Sequence, residues 1–238
     1  KKLFSDQEEI LKNIKIKNKT LSNNFKLNIL KELSNSNNIP SKIEINNASI
    51  NSKEINKNNI FFAIKGRKKD GNLFIKEAFS NGASLAIVNN QKSSKKKIIV
   101  KDTLKFLTEA SSLLRKNSSS KIIGITGSSG KTSLKELIGK SLNKISKATF
   151  SPKSYNNKFG VPLSLFNLRK NDDFGIFEIG MDKKNEINYL SNIIKPDVGV
   201  ITNISYAHIK NFKNINQIAL AKSEIIKNIK ENGYLVLN

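Results

Sequence analysis

Thr126, Gly127, Gly130, Lys131 and Thr132 stand in the order T-G-x-x-G-K-T, directly after the apolar run KIIGIT (121–126) and directly before a helical pattern. Glycines let a backbone close around phosphate oxygens, and a helix N-terminus adds unpaired N–H groups and the positive end of a dipole. The chemistry this suggests is binding of a nucleoside triphosphate in a cradle running from Gly127 through Ser128, Ser129, Gly130, Lys131 and Thr132 to Ser133. Lys131 would reach the β- and γ-phosphates and Thr132 would offer its hydroxyl to Mg²⁺. The strict phosphate-loop pattern has a glycine where this chain has Ile125, so the match is incomplete. A serine-rich strand-to-helix turn with a solvated lysine is the bland alternative, but such a turn has no need of two glycines, a lysine and a threonine at these spacings.

Three further residues have types suited to that site. Glu178 closes the apolar run in FGIFEIG (174–180), where a carboxylate has little structural purpose; ligands of open α/β sheets bind beyond the carboxyl ends of the strands, where Glu178 could hold Mg²⁺. His208, the only histidine, follows DVGVITNI (197–204), and a lone histidine is more often a loop or packing residue than a ligand. Lys222 shares a helix face with Ile218, Ile225, Ile226 and Ile229, a lysine within an apolar stripe; chance and snorkelling are its ordinary explanations.

The elements that must position these residues alternate along the chain. In the first half IFFAI (60–64), SLAIV (84–88) and KIIV (97–100) read as strands, and NLFIKEAFSNG (72–82) as a helix closed by Gly82. Asp102 caps a helix carrying Leu104, Leu107, Ser111 and Leu114 on one face. The serine-rich run 115–121 is the expected junction. Beyond it come strands at 121–126, 174–180, 197–204 and 234–238 and helices at about 132–145 and 215–229; on the first of these Leu134, Leu137, Ile138, Ser141, Leu142 and Ile145 share a face. Short, almost wholly apolar strands separated by helices predict a parallel sheet covered on both faces. The expected architecture is α/β: a basic extension (1–25, with Ser5 and Glu8 as a capping box), a small α/β domain (26–117), and a phosphate-loop-type, mostly parallel sheet with helices on both faces (118–238), truncated at its C-terminal end.

Composition removes several alternatives. The 238 residues carry a formal charge of +23, from 42 Lys+Arg against 19 Asp+Glu, which raises nucleic acid or an anionic membrane as partner. The lysines are spread along the chain among many Asn and Ile, however, and only KSSKKK (92–97) is dense, whereas a nucleic-acid footprint is clustered. Without cysteine there is neither a disulfide framework nor a thiol nucleophile. No apolar run approaches the ~18 residues that would span a bilayer. A cytoplasmic monomer with no nucleic-acid partner is expected, and a start at Lys1 and a stop after an apolar run suggest a fragment.

Taken in order, GITGSSGKTS, SYNNKFGVPLSL (154–165), FEIGM (177–181), KPDVGVITNISYAHIKNF (195–212) and ALAKSEI (219–225) resemble the Mur ligases of peptidoglycan synthesis. Together with the first-half stretch INSKEINKNNIFFAIKGRKKDGNLFIKEAFSNGASLAIV, the likeness covers residues 43–238, and the asparagine pair before GVPLSL resembles the branch that adds D-alanyl-D-alanine. The resemblance implies an ATP-dependent amide ligase that joins D-alanyl-D-alanine to UDP-N-acetylmuramoyl-tripeptide through an acyl phosphate. It implies that lacking the first loop glycine is a family feature, that Asn156 and Asn157 approach the nucleotide, that Glu178 and His208 serve Mg²⁺, and that Lys222, carbamylated by CO₂, serves a second Mg²⁺. Family members begin the uridine-side motif with Asp, Ser or Thr, and Arg; here Asn51, Ser52 and Lys53 stand in their place, which removes an acid and a forked guanidinium from that contact. The resemblance also implies a third domain absent from this chain, so that residues 1–238 alone are expected to be inactive. A sister ligase with another amine substrate, of the muramyl-peptide or folylpolyglutamate type, and a basic module that binds nucleotide or nucleic acid without catalysis, remain as alternatives.

Overall fold

The structure, a computed structural model, describes residues 25–34, 39, 43–66, 69–89, 94, 96–206 and 211–238. Most of the basic extension, half of KSSKKK and His208 lie outside the described residues. The chain divides into two compact units, residues 1–106 and 107–238.

In the first unit helix α1 (Phe25–Ser34) precedes strands β1 (Ala48–Ser49), β2 (Asn59–Phe62), β3 (Ala83–Val88) and β4 (Lys97–Ile99). They form a parallel sheet in the order β1-β2-β3-β4. The stretch read as one helix over 72–82 is a 3₁₀ turn (Gly71–Phe74) followed by a short helix α2 (Ile75–Ser80), because Asp70 caps the turn by accepting from the Asn72 N–H. It ends, as expected, at Gly82, whose φ of +104° suits a residue without Cβ. One face of the sheet packs Phe61, Ala86 and Val88 against Ile75 and Ala78; Ile60, Phe62, Leu85 and Ile87, which alternate with them, are fully buried too.

Helix α3 (Thr103–Lys116) spans the division into two compact units, which falls between Phe106 and Leu107. Asp102 Oδ1 caps α3, accepting from the Leu104 and Lys105 N–H groups. The helix's later turns are tied into the second unit, where Ser111 Oγ donates to the Pro162 carbonyl at 2.7 Å and Arg115 Nε to that of Ile194 at 2.7 Å.

The second unit contains β5 (Lys121–Thr126), α4 (Lys131–Leu142), β6 (Ala148–Phe150), α5 (Gly160–Phe166), β7 (Phe174–Glu178), α6 (Glu186–Ile194), β8 (Val198–Ile201), α7 (Ile215–Ser223) and β9 (Tyr234–Leu237). Its sheet runs β6-β7-β5-β8-β9 and every pairing is parallel. Ile125, Ile176 and Val200 face α4 through Leu134, Ile138 and Leu142. On the other face Gly124 lies beneath Ile194 and Ile225, so helices cover both sides. Leu137 and Ile145 do not join that packing: they are 64% and 83% exposed, and Gly139, pressed against the Phe150 ring, sets the helix's approach instead. Nor is 215–229 one helix. After Ser223 it tightens into a 3₁₀ turn (Glu224–Asn228), while the buried Glu224 carboxylate accepts from the N–H groups of Asn185 and Asn188 at the start of α6. Among the described residues no helix is long and apolar enough to cross a membrane.

At the opposite end of this sheet from the glycine-rich loop, Asp197 accepts from the Ile122 N–H at 2.8 Å and from Arg115 Nη2 at 2.7 Å, with the Lys121 and Lys230 ammoniums at 3.6 and 3.7 Å. Burial pushes its carboxyl up, but the Ile122 N–H and then the cations outweigh burial and hold it below 3.8. A depressed carboxyl contributes stability that is present above its ordinary value and lost as pH falls through the folded one. Asp197→Asn, which leaves the Arg115 guanidinium buried without its counter-charge, is expected to lower the unfolding free energy by about 3 kcal/mol at pH 7. In urea titrations the difference from the parent chain should shrink as pH falls below 4.

Candidate functional site

Three neighbouring strands end at one level. Ile125 of β5 pairs with Glu178 of β7, and Thr126 of β5 with Ile201 of β8. The glycine-rich loop, Glu178 and the segment after β8 therefore meet at the carboxyl edge of the sheet. Glu178 is 1% exposed and fully engaged: Oε2 accepts from Thr132 Oγ1 at 2.7 Å and Oε1 from Asn156 Nδ2 at 2.8 Å. Asn156 is itself fixed, since its carbonyl accepts from the Gly180 N–H at 2.8 Å.

The loop is shaped by two glycines in different ways. Gly127 has φ +150° and a Cβ there would lie 1.9 Å from Thr202 Oγ1; Gly130 has φ +77° and open space where a Cβ would go. Gly130 also occupies the N-cap of α4 and has no side chain with which to cap it, so the N-cap residue leaves the first N–H groups of α4 to the site. Lys131 Nζ folds back to donate to the carbonyls of Gly127 at 2.9 Å and Ser128 at 3.4 Å.

Lys222 is 2% exposed and comes close enough to Lys131 for the two ammoniums to repel. Burial first, and then the Lys131 charge, lower its pKa from 10.5 to about 8. The apolar stripe read from the sequence thus holds a buried cation, not a snorkelling one.

The remaining expected residues separate. Asn157 Oδ1 accepts from the N–H groups of Phe159 and Gly160, both at 3.0 Å, so it caps α5 while lining a cleft of about 320 Å³ beside Lys131 and Asn156. On the other side of the loop Ser129, Gly130 and Ser133 border an apolar cavity of about 490 Å³ with Leu134, Leu137 and Val236. Asn51 and Ser52 belong to the first unit. Asn51 caps a 3₁₀ turn by accepting from the Lys53 N–H at 3.2 Å, and the buried Ser52 hydroxyl donates to the Glu77 carboxylate. His208 lies outside the described residues.

Two residues that the motif search did not single out hold the loop. Asn203 Oδ1 accepts from the N–H groups of Ser128 at 3.1 Å and Ser129 at 2.9 Å, and Thr202 Oγ1 donates to the Ser129 carbonyl at 2.6 Å. Their signal in the sequence was position alone, a Thr-Asn pair directly after a strand.

As for what the site fits, an uncapped helix start, a flexible cation at Lys131 and a second buried cation form a cradle for an anion of phosphate type. The Thr132 hydroxyl and Glu178 carboxylate are hard oxygen donors within 2.7 Å of each other, which suits Mg²⁺, an ion that takes few protein ligands and keeps waters and phosphate oxygens for the rest. Among the described residues no three His, Asp or Glu side chains converge, so a dedicated cage is not what these residues offer.

Comparison with known proteins shows what the chain is similar to. A model of the Mur ligase family catalytic domain matches residues 44–114, and one of the Mur ligase middle domain matches residues 125–238. The UDP-N-acetylmuramoyl-tripeptide--D-alanyl-D-alanine ligase of Buchnera aphidicola subsp. Acyrthosiphon pisum is 37% identical over 195 residues, 82% of this chain and 43% of the relative. The same-named ligase of Rickettsia prowazekii is 36% identical over 203 residues, 84% and 45%. Among solved structures, MurF from Acinetobacter baumannii superposes with a TM-score of 0.76 at 30% identity, covering 88% of this chain and 48% of that one. MurF ligase from Thermotoga maritima, in complex with ADP, gives 0.68 at 33% identity, covering 80% and 45%. The chain thus spans under half the length of these relatives.

The two loop glycines should separate in a denaturant titration. Gly130→Ala is expected to lower stability by about 1–2 kcal/mol, the strain of a left-handed residue with a Cβ. Gly127→Ala should lower it by more, because a Cβ there must also displace Thr202.

Proposed function

Because the chain belongs to the Mur ligase family, we propose that it is the substrate-binding and nucleotide-binding part of a cytoplasmic ATP-dependent ligase that joins D-alanyl-D-alanine to UDP-N-acetylmuramoyl-tripeptide. The observation that carries this reading is the buried Glu178 carboxylate held against the Thr132 hydroxyl at the start of an uncapped helix, in a chain 36–37% identical to ligases of that name.

In the reaction proposed, the terminal carboxylate of the tripeptide attacks the γ-phosphorus of ATP, releasing ADP and giving an acyl phosphate. The amine of D-alanyl-D-alanine then displaces phosphate to form the amide. Positioning and charge neutralisation supply most of the catalysis of such a phosphoryl transfer. The first N–H groups of α4 hold phosphate oxygens, and Lys131 leaves the Gly127 and Ser128 carbonyls to meet the β- and γ-phosphates. Mg²⁺, held by Thr132 and Glu178, supplies further neutralisation when bound. Asn156 keeps the Glu178 carboxylate oriented toward Thr132. Asn157 braces the start of α5 at the mouth of the cleft, and in the first unit Asn51 and Ser52 stand where the family meets the uridine.

The loop assignment has a direct test. Lys131→Ala should weaken binding of Mg-ATP at least tenfold by calorimetry, with the far-ultraviolet circular dichroism unchanged; a folded variant with undiminished affinity would remove the phosphate role. The ligase reading is tested in protein extending to the relatives' full length. Phosphate release should require UDP-N-acetylmuramoyl-tripeptide and rise when D-alanyl-D-alanine is added, whereas a different amine requirement would reassign it to a sister ligase.

Lys222 is proposed to be carbamylated in the active enzyme and to share a second Mg²⁺ with His208. A pKa of about 8 leaves about a tenth of the amine neutral at pH 7, far more than for an ordinary lysine, and that is the form that takes up CO₂; a carbamate would replace repulsion of Lys131 by attraction. Lys222→Ala should abolish most of the ligase activity, and short carboxylic acids should restore part of it; a fully active variant would return Lys222 to packing.

A further inference from the structure

The loop's first two donors are already engaged by the protein. The consecutive N–H groups of Ser128 and Ser129 converge on one oxygen, Asn203 Oδ1, at 3.1 and 2.9 Å. Consecutive amides converging on a single acceptor form the concavity that elsewhere binds an anion, so here a side-chain oxygen occupies the position of a ligand atom. The contacts around it leave little freedom. Asn203 Nδ2 donates to Ser129 Oγ at 2.7 Å, which fixes the carboxamide with its oxygen toward the amides. The Asn203 carbonyl accepts from the Ser128 N–H at 3.0 Å, and Thr202 Oγ1 donates to the Ser129 carbonyl at 2.6 Å. Ser128 Oγ, in turn, donates to the Ser205 carbonyl at 3.1 Å and accepts from the Ser205 N–H at 2.9 Å.

Those bonds divide the loop. Its first half is satisfied from the segment after β8, and its second half begins with Gly130, an N-cap residue with no side chain to cap α4. We propose that Asn203 is a positioning residue for nucleotide binding: by filling the first concavity of the loop it fixes Gly127–Gly130 before the ligand arrives, so that the N–H groups of α4 face the phosphates without further ordering. The alternative use of the same contacts, a latch that phosphate must displace, has the opposite consequence, because removing a latch tightens binding whereas removing a brace weakens it. The brace is favoured because Asn203 bonds the half of the loop remote from α4 and leaves the helix start free. Ordering residues 127–130 at the moment of binding would otherwise subtract from the affinity.

This inference rests on the nucleotide reading, and the experiment separates the two. Amide exchange of Ser128 and Ser129 is followed by NMR in the ligand-free chain, and Mg-ADP affinity by calorimetry, for the parent, Asn203→Ala and Asn203→Asp. Asn203→Ala should lose the protection of the Ser129 amide, weaken that of Ser128, which keeps the backbone carbonyl of residue 203 as acceptor, and bind Mg-ADP about tenfold more weakly, as expected for two or three hydrogen bonds no longer preformed. Asn203→Asp, of the same shape, should keep the protection and yet bind more weakly than the parent, by an amount that shrinks with added salt, because it sets a carboxylate beside the phosphates. Exchange unchanged in Asn203→Ala would overturn the brace, as would lost protection with undiminished affinity; tighter binding would make Asn203 a latch. A parent chain that bound no Mg-ADP while its two amides were protected would instead overturn the nucleotide reading, and with it the use assigned to the brace.

Discussion

A carboxylate only 1% exposed governs the arrangement of the second unit. Burying an ionised group is tolerated only where hydrogen bonds replace its hydration, and Glu178 has two such donors, on different elements. Thr132 is held by α4, and Asn156 by the loop before α5. The β5–β7 register, with Ile125 opposite Glu178, must therefore be kept to a single residue, since a slip would turn the carboxylate to the other face of the sheet. Apolar packing on both faces enforces that register: Ile125 and Ile176 pack beneath α4, while Gly124 leaves room for Ile194 and Ile225.

What the site lacks is as well defined as what it holds. The Lys131 and Lys222 ammoniums repel, the N-cap of α4 is a glycine with no side chain to cap it, and the Glu178 carboxylate is already shared between a hydroxyl and an amide. Like charges held in a buried place raise the free energy of the empty protein, and an anion placed between them relieves it. On the proposed reading a polyphosphate with Mg²⁺ would meet this condition, the phosphates answering Lys131 and the helix and the metal answering Glu178 and Thr132. The same charge arrangement offers nothing to a neutral ligand, which is why it discriminates chemistry more sharply than the net charge of the chain does.

The alternation of short apolar runs with helices was enough to read the parallel sheets, and β3, β4, β5 and β9 fall where the sequence reading set them to within a residue or so. Of the elements that escaped it, α6 did carry an amphipathic pattern, with Ile187, Leu190 and Ile194 buried, whereas α5 and β6 carry none. All seven residues of α5 are buried, so no polar face marks its period, and β6 is three residues long. Period also misled at α4, where Leu137 carries the helical spacing but points outward, because Gly139 lets that helix lean toward Phe150. In the site, Lys131, Thr132 and Glu178 were legible since glycine spacing and a strand-end acid are unusual. Thr202 and Asn203 were not, because their role consists of bonds to a loop some 75 positions earlier, and pairing at that range leaves no local period.

Lysine shows most plainly where sequence stops being informative. In a chain with 42 Lys+Arg residues the type at any one position is close to uninformative, and a composition-wide bias explains most of them. Burial sorts them. Lys135 is fully enclosed, one turn along α4 from Lys131, and its ammonium donates to the carbonyl of Lys153. That carbonyl belongs to the segment that leads to Asn156, itself a donor to Glu178, so a lysine indistinguishable by pattern from its neighbours ties the helix of the phosphate loop to the loop of its carboxylate partner. A buried ammonium is costly unless its donors are used, so its persistence at this position is a structural statement about the 151–157 segment, not a consequence of codon bias. The positive charge of this protein is therefore two populations: a solvated majority with no common target, and a few enclosed by the fold, of which Lys135 and Lys222 lie near the half-buried Lys131.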